Sequence, residues 1–107
     1  MSVADWLDAR NPAPPAALAR RLRVALGGAL ADARPTDDRL FAAAEMLLAR
    51  LLREGCAARA AAEDLLTADA LVTYAFEAAA EHQPSRLEER AADAMRRISA
   101  LGLAGET

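Results

Sequence analysis

The chain has 107 residues with 13 basic and 16 acidic side chains, a formal net charge of −3. That length fits one domain and excludes a two-domain enzyme. Ala occurs 30 times and Leu 16 times against eight Val, Ile and Thr together, and the apolar content is 54%, which excludes both a sheet and a disordered chain and leaves a single all-α domain over 1–107.

Ser2 with Asp5 three positions on reads as an N-cap with an acidic first turn, and Val3, Trp6 and Leu7 share one face. These residues predict a short helix over about 2–10. Pro12, Pro14 and Pro15 cannot continue it, but Pro15 fits the opening of a second helix over about 15–33, with Leu18, Leu22, Leu26 and Leu30 as its stripe. Gly27 and Gly28 predict either close approach of a neighbouring helix or a kink or end, and close approach is the preferred reading. After Pro35, Thr36 is the expected cap and Asp37 and Asp38 the acids of a third helix over about 37–54. Leu40, Phe41, Ala44, Leu47, Leu48, Leu51 and Leu52 form its apolar stripe, with Gly55 at its end. A fourth helix is predicted over about 58–81, burying Leu65, Leu66, Val72, Ala75, Phe76 and Ala79 with Leu71 and Tyr74 beside them. Pro84 breaks it, and Ser85 with Glu88 reads as the capping box of a fifth helix over about 86–101, with Leu87, Ala91, Ala94, Ile98 and Leu101 buried and Gly102 as its stop. Short connections predict an antiparallel bundle of four main helices with the N-terminal one laid across an end.

The mild acidity argues against a general nucleic-acid binder, whose footprint is a basic domain or face. Lone Cys56 implies no internal disulfide. Residues Met1 to Trp6 lack the basic and apolar regions of a signal peptide, and charges interrupt every apolar stretch, so no membrane span is expected. The expected compartment is the cytoplasm.

No catalytic constellation is expected, and no cofactor or metal. Cys56 and His82 alone cannot make a four-ligand zinc site, and Ala79 three positions before His82 removes a Glu-x-x-His pair. A Cys56–His82 nucleophilic pair would span a helix of roughly 35 Å. Gly27-Gly28 lacks the spacing of a phosphate loop. Three polar features remain as a possible partner surface. Asp69, Thr73, Glu77 and Glu81 recur every four residues along the fourth helix. Arg20, Arg21 and Arg23 suit phosphate or an acidic partner. Trp6 either pins its short helix to the bundle or anchors a partner, and the pin is preferred.

The run Leu65-Leu66-Thr67-Ala68-Asp69-Ala70-Leu71-Val72-Thr73-Tyr74-Ala75-Phe76-Glu77 resembles the helix after the first aspartate-rich region of trans-isoprenyl diphosphate synthases. That family's Asp-Asp-x-x-Asp motifs hold magnesium and diphosphate, and here Asp37-Asp38 is followed by Arg39, Leu40 and Phe41. The resemblance therefore implies at most an accessory subunit of a prenyl-chain enzyme. The expected function is a non-enzymatic interaction module that forms a homo-oligomer or docks on a larger protein. The alternative is a small-ligand or lipid-binding bundle with an apolar groove beside Leu71, Tyr74 and Phe76.

Overall fold

The computed structural model describes residues 1–33, 36–54 and 59–105. Among them lie five α-helices and no strand: α1 (Val3–Asp8), α2 (Ala16–Leu26), α3 (Thr36–Glu54), α4 (Arg59–His82) and α5 (Leu87–Gly105), with 3-10 turns at Gly27–Ala31 and Pro84–Arg86. The all-α small bundle is thus as the composition predicts. Gly55 and Cys56 lie outside the described residues.

The Ser2 side chain accepts from the Asp5 amide and the Asp5 carboxylate accepts from the Ser2 amide, so a complete capping box starts α1. These hydrogen bonds hold the Asp5 carboxyl below its ordinary range. The Val3 amide donates to the Asp32 carbonyl at 2.8 Å, tying α1 to the chain that follows α2. Val3, Trp6 and Leu7 all enter the core.

The second helix is shorter than its leucine spacing predicts. Leu22 and Leu26 are buried, but α2 ends at Gly27, whose φ of 52° takes the chain out of the right-handed region. A side chain added at Gly27 or Gly28 would meet nothing within 4 Å, so close approach is not what these glycines provide. They end the helix and start the 3-10 turn. The two positions should therefore respond oppositely to alanine. Gly27→Ala is expected to destabilise by about 1–3 kcal/mol, because φ 52° with ψ −125° is a backbone conformation that side chains strongly disfavour. Gly28→Ala is expected to stabilise by about 0.5 kcal/mol through the unfolded state. Urea denaturation of the two variants checks this, and equal effects would show that both glycines serve the same role.

α3 and α4 supply most of the core. Arg50 of α3 lies 3.2 Å from Asp64 of α4, while Phe41 shares a small cavity with Ala75 and Ala79 further along α4. Leu40, Phe41, Ala44, Leu47 and Leu51 are buried as the α3 spacing predicts and Ala43 joins them, with Leu48 half-buried and Leu52 exposed. Thr36 is the first helical residue rather than the cap, and is buried.

The buried face of α4 agrees with the predicted one in Leu71, Ala75 and Ala79, with Val72 and Phe76 half-buried, and departs from it at Leu65 and Leu66. Ala61, Thr67, Ala68, Leu71, Ala75, Ala78 and Ala79 face inward, while Leu65 and Leu66 face solvent. The alanines repeat at helical spacing as regularly as the leucines do, and small side chains let α4 lie close against α3. The spacing of the large apolar residues predicts one face of α4, and packing against α3 selects the face of the small ones.

In α5, Ala94 is buried, Leu87, Ala91 and Leu101 are half-buried, and Ile98 is exposed. Ser85 sits inside the Pro84–Arg86 turn instead of capping α5, because Pro84 opens that turn and the Arg86 amide donates to the Gln83 carbonyl at 3.0 Å. Gly102 does not stop the helix, which continues to Gly105. No helix among the described residues is long and apolar enough to cross a membrane.

Candidate functional site

A groove of about 670 Å³ lies between α2, α3 and α4. Helical spacing builds each wall. From α2 come Arg20, Arg21 and Val24, and from α3 Met46, Arg50 and Arg53, each set rising along one face at i, i+3 or i+4 intervals. Asp64 and Thr67 of α4 close the third side. Ala43 and Leu47, both buried, form part of the floor.

Two large apolar side chains stand in this groove largely uncovered, Val24 at 82% exposure and Met46 at 75%. Four guanidinium groups surround them. Arg21 pairs with Glu63 and lies 3.9 Å from Asp64, and Arg50 lies 3.2 Å from Asp64. Among the described residues, neither Arg20 nor Arg53 has a carboxylate at ion-pair distance. The buried Thr67 hydroxyl is satisfied internally, donating to the Glu63 carbonyl at 2.9 Å. The groove is thus apolar at its centre and positive at its edges, suited to an apolar surface that carries negative charge.

The residues singled out in the sequence are divided among three places. Arg20 and Arg21 line the groove, whereas Arg23 turns away to Asp8 at 3.1 Å. Asp69, Thr73 and Glu77 lie exposed along the outer face of α4, where the Thr73 hydroxyl donates to the Asp69 carbonyl at 3.0 Å. Glu81 continues that spacing but is engaged inside the molecule, accepting from Trp6 Nε1 at 2.7 Å and from Arg10 at 2.7 Å. Trp6 itself is only 1% exposed, edge-on to Tyr74 with ring centroids 6.2 Å apart and the Arg10 guanidinium 3.8 Å above it. Of its two readings, the pin is the one this geometry fits.

An apolar groove beside Leu71, Tyr74 and Phe76 is not formed. Leu71 is fully buried, Tyr74 packs on Trp6, and Phe76 lines a cavity of about 30 Å³. Phe76 leaves α4 on the side roughly opposite Leu71 and Tyr74, so closeness in sequence does not make one surface of the three. His82 ends α4 half-buried. Among the described residues, no group of three or more His, Cys, Asp or Glu comes together. Val24, Met46, Arg50 and Arg53 are not singled out by the sequence. For the last three a signal exists in the second face of α3, where they repeat beside the leucine stripe.

The Arg10 and Trp6 hydrogen bonds hold the Glu81 carboxyl below the usual carboxylate range. A carboxyl lowered on folding stabilises the protein above its unfolded pKa of roughly 4.3, and that contribution is lost as pH falls through the folded value. Glu81 is about half exposed, so the effect is a fraction of a kcal/mol. Glu81→Gln is expected to lower stability slightly at pH 7 and to flatten its decline below about pH 4. Thermal melts across that range check it, and an unchanged acid slope in the variant would assign the decline to other carboxylates.

No protein-family model, curated protein or solved structure matches the chain, and the geometry of the groove is the observation that bears on its function.

Proposed function

We propose that the chain is a non-enzymatic interaction module, acting in the cytoplasm, whose α2–α3–α4 groove receives an apolar, acidic segment of a protein. The observation that carries this reading is the exposure of Val24 and Met46 between four arginines. Uncovered apolar side chains beside Arg20 and Arg53, which have no carboxylate at ion-pair distance among the described residues, gain most from a partner that covers the first and neutralises the second. A shallow groove with i, i+3, i+4 walls suits an amphipathic helix. A second reading, a small anionic amphiphile, draws on the groove volume and the same guanidinium groups.

Native mass spectrometry of the tagged chain, recovered gently from its source, tests both. The expected result is a stoichiometric polypeptide bound to the wild type and absent from Val24→Asp/Met46→Asp. A bound mass of a few hundred daltons would favour the amphiphile. A bare 11.3 kDa chain in both samples would overturn the two readings together.

A further inference from the structure

We propose that the occupant of the groove is the outer face of α4 from a second copy of the chain. This rests on the docking reading above and names its partner. Leu66, Asp69, Thr73 and Glu77 follow one another at i, i+3, i+7 and i+11 along α4, and all four are exposed. Leu66 is 58% exposed and its neighbour Leu65 47%. Exposed Ala62 and Ala80 flank the stripe and are small enough to allow close approach. This face therefore offers an exposed leucine followed by two carboxylates, while the groove offers Val24 and Met46 beside guanidinium groups.

The charges match in number as well as sign. Arg21 and Arg50 already share Glu63 and Asp64, which leaves Arg20 and Arg53 as the groove cations for Asp69 and Glu77. Glu81, next in the spacing, is held by Arg10 and Trp6, so the free part of the stripe ends at Glu77. From Leu66 to Glu77 the helix rises roughly 17 Å, a length suited to lying along a groove walled by two or three helical turns.

Asp64 and Thr67, which line the groove, project from the side of α4 roughly opposite this stripe. Donor face and acceptor groove therefore point away from each other in one molecule. Such a contact is heterologous: copies join head to tail and grow into a ring or an open chain rather than closing as a two-fold dimer.

Sedimentation of the purified full chain with two surface variants tests this. Arg20→Glu/Arg53→Glu disables the groove, and Leu66→Ala/Asp69→Ala/Glu77→Ala disables the stripe. Circular dichroism confirms that both variants fold. The wild type is expected to associate beyond the dimer as concentration rises, and less so at high salt. Each variant alone is expected to associate more than about tenfold more weakly. An equal mixture of the two is expected to recover a one-to-one dimer and stop there, since each contributes one working surface. A wild type that stays monomeric at all concentrations, an assembly that survives either variant, or a mixture that stays monomeric overturns the proposal. A chain monomeric when pure, yet bound through Val24 and Met46 to another protein from its source, would overturn self-recognition and keep the docking reading.

Discussion

Trp6→Ala is expected to lower the unfolding free energy by about 4 kcal/mol, the cost of emptying a large fully buried aromatic site. In a domain of this size that corresponds to a fall of roughly 15–30 °C in Tm. Trp6 is 1% exposed, meets Tyr74 edge-on and lies under the Arg10 guanidinium, so its removal opens a cavity and releases three partners at once. Trp6→Phe separates these contributions. It keeps most of the apolar volume but loses the Nε1 hydrogen bond to Glu81, worth about 1.5 kcal/mol where the acceptor is charged. Glu81 keeps Arg10 and water, so no unpaired charge is left behind and the Phe variant should retain more than half of the lost stability. Denaturant unfolding followed by circular dichroism measures both, because the variants lack the only tryptophan. A loss below 1 kcal/mol in Trp6→Ala would mean that α1 is not pinned to the bundle and would return Trp6 to the surface available to a partner.

The same residue shows where the sequence was legible. Ser2 and Asp5 announce the start of α1 because a capping box is local chemistry, decided within four residues. The helix boundaries of α3 are similarly local, set by Asp37 and Asp38 at one end and the leucine spacing along the face. The partners of Trp6 are not local: Tyr74 and Glu81 come from the far half of the chain, and nothing in the spacing of α1 names them. The groove was illegible for a related reason. Val24 and Met46 fall outside the apolar stripes of α2 and α3, and only the docking of α2, α3 and α4 brings these two exposed side chains to one groove. Leu65 and Leu66 mislead in another way, since their spacing predicts burial and both are exposed. Burial in α4 follows the alanines because the distance to α3 is short, and a distance between helices is not written in either helix alone.

A large effect is also expected where α5 meets α3, and there it comes from charge. Among the α5 side chains described, Ala94 is the buried apolar one, while two arginines reach across to α3: Arg90 to Asp37 at 3.2 Å and Asp38 at 2.8 Å, and Arg97 to Glu45 with its guanidinium 4.5 Å above the Phe41 ring. The Glu45 hydrogen bond holds the Arg97 guanidinium above its ordinary pKa. Arg90 also donates to the Gln83 side chain at 3.2 Å, so one side chain links the first turn of α3, the end of α4 and α5.

Arg90→Met is expected to cost about 3 kcal/mol, because Asp37 is buried and would lose its cation. Two features keep the loss from being larger. Asp37 sits in the first turn of α3, where the helix dipole favours its charge, and the Arg90 Nε is itself buried without a partner, a cost that the methionine removes. Asp37→Asn in the Arg90→Met background should recover part of the loss, since an amide carries no charge to leave uncompensated. The coupling from that double-mutant cycle should exceed about 1 kcal/mol. Arg96→Met, which breaks an exposed pair with Asp93 at 3.3 Å, should change stability by less than about 0.5 kcal/mol. Equal effects of Arg90→Met and Arg96→Met would show that α5 is held by its few half-buried apolar side chains. Unequal ones would place its attachment in the arginines, and α5 should then be the first helix to loosen when salt is raised.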